Sequence, residues 1–183
     1  PDTISITIDS GAKITAGITK NKTTNGYNCS YTPQAALADG SHTIKVDASD
    51  NDGNAATQKT VTFSIDTVPP TLSITSPANG LVTNISTITV SGTSNDVTSS
   101  PVTITVNGTA VTVGSDGAFT TSIKLTEGEN TITVIATDSA GKKTTVTRTV
   151  TLDTTPPVFS NVTVTPNPVD AGKTYVITVE VTD

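Results

Sequence analysis

Ile132-Thr133-Val134-Ile135-Ala136-Thr137-Asp138 restates, 88 residues further on, the stretch Ile44-Lys45-Val46-Asp47-Ala48-Ser49-Asp50. In each copy the apolar residues fall on every second position: Ile44, Val46 and Ala48, then Ile132, Val134 and Ala136. Successive side chains of an extended strand point to opposite faces, so the alternation predicts strands with one dry face and one wet face. Gly53 and Gly141 follow at the same offset and place a turn after each strand. Upstream, Ile4-Ser5-Ile6-Thr7-Ile8-Asp9 is matched by Val102-Thr103-Ile104-Thr105-Val106-Asn107 at an offset of 98. Offsets of 98 and 88 give the first copy ten extra residues, expected in the polar stretch Lys20 to Asn25. Downstream, Asp66-Thr67-Val68-Pro69-Pro70 recurs as Asp153-Thr154-Thr155-Pro156-Pro157, 87 residues on. Three matched segments in one order define an internal repeat.

The double prolines set the seams. Proline cannot donate to a β-ladder and restricts the residue before it, so pairing stops there and the junction is short and stiff. Turn signals at Asp39-Gly40, Asp52-Gly53, Asn79-Gly80, Asn107-Gly108, Asp116-Gly117 and Glu127-Gly128 cut the chain into short strands with no helical period. The predicted fold class is all-β: tandem immunoglobulin-like antiparallel sandwiches joined at the Asp-Thr-x-Pro-Pro seams. Residues 68–154 read as one complete module. Its strands are expected near 71–75, 85–92, 101–107, 110–113, 117–125, 130–138 and 143–153. Leu72, Ile74, Ile88, Val90, Val102, Ile104, Val106, Phe119, Ile123, Ile132, Val134, Val146 and Val150 are its expected core. Residues 1–67 read as a module lacking its first two strands. Residues 155–183 read as those two strands of a further module, near 158–165 and 173–182. In the last strand Tyr175, Ile177, Val179 and Val181 share a face and form the expected self-assembly strand.

The seams, the Ala-Ser-Asp and Ala-Thr-Asp strand endings and the opening Thr71-Leu72-Ser73-Ile74-Thr75-Ser76-Pro77 resemble the bacterial immunoglobulin-like repeats of surface adhesins and cell-wall proteins. That resemblance covers essentially the whole chain. It implies the sandwich fold and export. It says little of function, since such modules serve as spacers, adhesion tips and enzyme appendages alike.

Composition narrows the partners. Of 183 residues 33% are hydrophobic, with three Phe, three Tyr and no Trp, so the core must be built from Ile, Val and Leu. Thr is the commonest residue at 41 copies, and its branched Cβ suits a pleated surface. A net charge of −6 with scattered Lys and Arg disfavours nucleic acid and anionic lipid. No apolar run is long enough to span a bilayer, and the N-terminus lacks the pattern of a signal peptide. Pro1 therefore reads as a start inside a longer protein, with any secretion signal upstream. A single cysteine excludes an internal disulfide, which fits a microbial exported protein better than an animal immunoglobulin domain.

Candidate chemistry is sparse. His42, the one histidine, takes the position of Asn130 in the second copy and reads as a strand-end residue without a catalytic partner set. Cys29 has the parity of Phe119 and is expected to face inward as a small hydrophobe. Calcium is the expected ion if one binds, with Asp47, Asp50, Asp52 and Asn54 in one loop as the first candidate. That loop departs from a calcium loop, because Ala48 stands at the first ligand position and no Glu closes it; a polar turn is the competing reading. Asp66 and Asp153, beside the seams, are second candidates for an interdomain ion. Asn21, Asn28, Asn84, Asn107 and Asn161 begin glycosylation sequons, a number that this Ser/Thr content produces by chance. The expected role is non-catalytic: a surface stalk, adhesin or filament, extracellular or on the cell surface. Head-to-tail assembly is expected, with 155–183 of one copy completing 1–67 of the next. A ligand-binding or carbohydrate-binding module for a host or cell-wall partner, and accessory domains of an exported enzyme, are the alternatives.

Overall fold

The computed structural model describes residues 3–168 and 170–183, and every regular element in them is a β-strand. Pro1 lies outside the described residues. The first unit contains β1 (Thr3–Ile8), β2 (Thr19–Thr23), β3 (Gly26–Ser30), β4 (Gly40–Ser49) and β5 (Lys59–Ile65). An antiparallel sheet runs β1-β4-β5, and β2 and β3 form a separate hairpin. The polar stretch Lys20 to Asn25, where the extra residues of this copy are expected, lies in that hairpin and its turn.

The middle unit continues with β6 (Thr71–Ser76), β7 (Leu81–Thr83), β8 (Thr87–Asn95), β9 (Thr103–Val106), β10 (Thr109–Val111), β11 (Ala118–Lys124), β12 (Gly128–Thr137) and β13 (Lys143–Leu152). One sheet runs β11-β8-β6 and the other β10-β9-β12-β13-β7. The opening strand of the module is split: β6 pairs with β8, then the chain crosses to the other sheet and β7 runs parallel to β13. The sequence predicts one strand at 71–75, and β7 is an addition to it. Apolar residues from both sheets meet in one core, where Val90, Ile132, Val134, Ala136 and Val150 have no exposed surface. Leu72, Ile88, Ile123 and Val146 pack around it, so none of the expected core is exposed. Gly92 permits the closest approach in this core. A Cβ there would lie 2.1 Å from the Ser73 carbonyl oxygen and 2.9 Å from Cζ of Phe119.

Beyond the second seam, β14 (Val158–Thr165) and β15 (Val176–Thr182) form an antiparallel hairpin. Val158 faces Thr182 and Phe159 faces Val181, as Thr71 faces Asn95 and Leu72 faces Ser94 in the middle unit. The hairpin thus reproduces β6–β8 at the 87-residue offset. Tyr175 precedes β15 rather than lying in it. Among the described residues no helix is long and apolar enough to cross a membrane.

Candidate functional site

Two apolar surfaces dominate. The first is the inner face of the first unit. Here β1, β4 and β5 present Ile6, Ile8, Ile44, Phe63 and Ile65, and the 29–37 segment adds Cys29, Tyr31, Pro33 and Leu37, around an open groove of about 750 Å³. In the middle unit the corresponding face is sealed by β6 and β8; here, among the described residues, no strand takes their place. Cys29 corrects the sequence expectation. It lines the groove, as an inward-facing residue would, but is exposed, because no described strand covers the face it belongs to.

The second surface is the hairpin. Directly opposed residues of an antiparallel pair share a face. Phe159 with Val181, Val162 with Val179 and Val164 with Ile177 therefore make one apolar face. All of it is solvent-exposed: Phe159 retains 70% of its surface, Tyr175 and Ile177 56% each, Val181 55% and Val179 45%.

The seams carry a device that sequence reading missed. Thr67 donates its N–H and hydroxyl to the two carboxylate oxygens of Asp39, at 2.9 and 2.8 Å. Thr154 does the same to Glu127, at 3.0 and 2.8 Å. By sequence Asp39-Gly40 and Glu127-Gly128 signal only turns. The signal available was an acid in each of these turns, paired with a Thr in each seam.

The acidic candidates separate. Asp47 accepts from Gln58 Nε2 at 2.8 Å and lies 3.7 Å from Lys13 Nζ. Asp50 accepts from the Asn54 side-chain amide at 2.9 Å and from the N–H groups of Asn54 and Asp52. These bonds, the Asn54 amide foremost, hold its carboxyl below the ordinary value. The Asp52 backbone joins that turn. Asp153 accepts from the N–H of Thr155. Asp66 alone of the six named residues is drawn into a carboxylate cluster, with Asp96 and Asp138, neither of which the sequence singled out as a ligand.

All five sequon residues, Asn21, Asn28, Asn84, Asn107 and Asn161, are exposed. Asn107 is also structural: it sits at φ 47° and its Oδ1 accepts the N–H of Thr133. Asp9, its counterpart, sits at φ 53° and accepts the N–H of Thr43. Asp9 Oδ2 also receives His42 Nδ1 at 2.8 Å, while His42 Nε2 meets the Ala38 carbonyl at 2.8 Å. The Asp9 contact raises the His42 pKa, and the His42 contact lowers that of Asp9. With both ring nitrogens committed, His42 has no site left to take a proton from a nucleophile.

Residues 1–67 match the family model of a bacterial Ig-like domain, and residues 70–154 match that of glucodextranase domain B. No curated protein sequence matches the chain. Among solved structures, the chain is similar to the fibronectin(III)-like modules of Clostridium thermocellum CbhA. That match has 19% identity and a TM-score of 0.44, and covers 82% of this chain and 77% of that one. It is also similar to a tetra-tandem repeat from the extending region of a large adhesion protein. There identity is 28% and the TM-score 0.41, over 93% of this chain and 46% of that one.

Proposed function

We propose that this tandem of immunoglobulin-like modules is a non-catalytic structural segment of an extracellular or cell-surface protein. In this reading its first unit is completed by the β14–β15 hairpin of a second copy. The observation that carries this is the complementarity of the two open surfaces. The first unit has the sheet β1-β4-β5 but, among the described residues, no second sheet over its apolar face. The hairpin has the pairing of β6 and β8, the strands that cover this face in the middle unit, and buries none of its own side chains.

Burying Tyr175, Ile177, Val179 and Val181 contributes roughly 6–12 kcal/mol before ordering costs, at about 1.5–3 kcal/mol each. Free strand edges would pair in the same step, as in β-strand addition. Donor and acceptor surfaces differ, so the contact is heterologous and propagates unless the rotation closes a ring. Stiff proline seams then make the product a rod rather than a flexible string.

Light scattering across a concentration series tests this. The 183-residue chain is expected to assemble, and a chain ending at Thr155 to stay monomeric with a labile first unit. Adding a peptide of residues 156–183 to the truncated chain should restore that unit's protection. Equal assembly by the truncated chain, or a full chain that stays monomeric with a stable first unit, overturns the reading.

A further inference from the structure

We propose that Asp66, Asp96 and Asp138 bind a divalent cation of calcium's size at the seam between the first unit and the middle sandwich. Asp66 follows β5, Asp96 follows β8 and Asp138 follows β12, so one residue comes from before the double proline and two from after it. One carboxylate oxygen from each lies within 4.8 Å of the others. Asp96 and Asp138 keep only 8% and 6% of their surface. The Oδ2 atoms of Asp66 and Asp138 are sealed from solvent and have no hydrogen-bond partner. The Lys13–Asp47 and His42–Asp9 ion pairs do not involve these residues.

Buried carboxylates without counter-charge are strongly unfavourable, and three converging on one point compound the cost. A cation removes it. Calcium takes oxygen ligands at about 2.3–2.6 Å, so oxygens on opposite sides of the ion are roughly 4.6–5.2 Å apart. The spacing here fits inside that sphere. The carboxylates are also pre-set by the turns that carry them. Asp96 Oδ1 accepts the N–H groups of Thr98 and Ser99 at 2.8 and 2.7 Å. Asp138 Oδ1 accepts that of Lys142 at 2.9 Å, and Asp66 Oδ1 that of Val68 at 3.1 Å. Each is held through one oxygen, and in Asp66 and Asp138 the other is bare.

Two internal comparisons support the assignment. Asp50 stands at the position of Asp138 in the first unit, and there the Asn54 amide fills the oxygen that is bare in Asp138. Conversely, the 87-residue offset carries Asp66 to Asp153 and Asp96 to Asp183. Asp153 and Asp183 line one hollow with Pro156 and Pro157 at the next seam. Two members of the triad thus recur where the next junction begins. An ion bound by Asp66, Asp96 and Asp138 ties the end of one unit to two loops of the next and stiffens the seam. That consequence rests on the rod reading above; ion binding itself does not.

Calorimetric titration of the full 183-residue chain with calcium, below the concentration at which it assembles, tests the site. Saturable binding is expected, weakened at least tenfold by Asp66→Asn and by Asp138→Asn and unchanged by Asp50→Asn. In chelator both Asn variants should melt no lower than the parent, because each relieves repulsion. In the unmodified chain, calcium should slow hydrogen exchange at the Val68, Ser99 and Lys142 amides. No binding heat and no slowing of exchange up to about 10 mM calcium, the weak end of extracellular calcium modules being near 1 mM, overturns the proposal. Parent-like binding by both Asn variants overturns it equally.

Discussion

The first and middle units are written in the same alternating pattern, yet among the described residues only the middle one has a hydrophobic interior. Ile44, Val46 and Ala48 of β4 match Ile132, Val134 and Ala136 of β12. The β12 residues are completely buried, whereas Val46 is 37% exposed and Val61, on the next strand, 59%. Among the described residues every core side chain lies between Ile74 and Leu152. Alternation therefore makes a sheet with an apolar face. Burial needs a second sheet, and in the middle unit β6, β8 and β11 provide it.

Truncation at the matched positions gives the largest contrast. Ile132→Ala is expected to cost about 2–5 kcal/mol in the middle unit, the ordinary range for a buried Ile. Ile44→Ala should cost much less in the dispersed chain, because its neighbours already face the open groove. Urea unfolding of the two variants reads this directly, and equal losses would mean that the first unit is closed by something other than the hairpin. In the presence of residues 156–183 the Ile44→Ala cost should rise toward that of Ile132→Ala.

Cys29 reports closure without a mutation. Its thiol is exposed in the groove and should react with a maleimide at a rate typical of a free cysteine in dilute chain. Covering the groove should slow it about tenfold, equivalent to roughly 1.4 kcal/mol of closing free energy. A rate independent of concentration and of added hairpin peptide would separate the groove from assembly.

The seams should be more alike than the units. Thr67→Val and Thr154→Val each remove one hydroxyl bond to an acid while leaving the N–H bond. Each is expected to cost about 1 kcal/mol or less, the net worth of one such bond at an exposed site. A large loss at one seam alone would break the equivalence.

The smallest effect distinguishes the units by pH. Asp9–His42 in the first unit has no titrating counterpart in the middle one, where Asn107 and Asn130 stand at the matching positions. The His42 pKa is raised from 6.5, so its contribution is complete below 6.5 and fades as pH climbs through the raised value. The Asp9 pKa is lowered from 3.8, so its contribution holds above 3.8 and fades as pH falls. The pair is thus fully effective between those limits. NMR titration should place His42 above 6.5, and Asp9→Asn should return it toward that value; an unshifted His42 in the parent would dismiss the contact.

Much of the fold was legible because its cause is local. Strand positions follow from period-two alternation, and seams from proline's missing N–H. What escaped notice involves partners distant in sequence. β7 is three residues long and owes its pairing to β13, some 70 residues away. The Thr67–Asp39 and Thr154–Glu127 clamps join residues 28 and 27 apart. Of the ion candidates legible in the sequence, only Asp66 at the seam joins the cluster; its partners Asp96 and Asp138 come from separate turns, and the dense acidic loop at 47–54 does not take part.

Register marks the same boundary. By itself the sequence determined that β1 and β9 are equivalent strands with Ile8 in the place of Val106, because composition and parity are local properties. Only the tertiary structure decided where they sit. Ile8 faces Ile44, whereas Val106 faces Val134, the counterpart of Val46, so β1 is displaced by two residues along its partner. An even displacement keeps every side chain on its face, so the hydrophobic pattern cannot distinguish the two registers. The convergence of Asp66, Asp96 and Asp138 was decided in the same way, by how the turns meet across a seam rather than by any spacing along the chain.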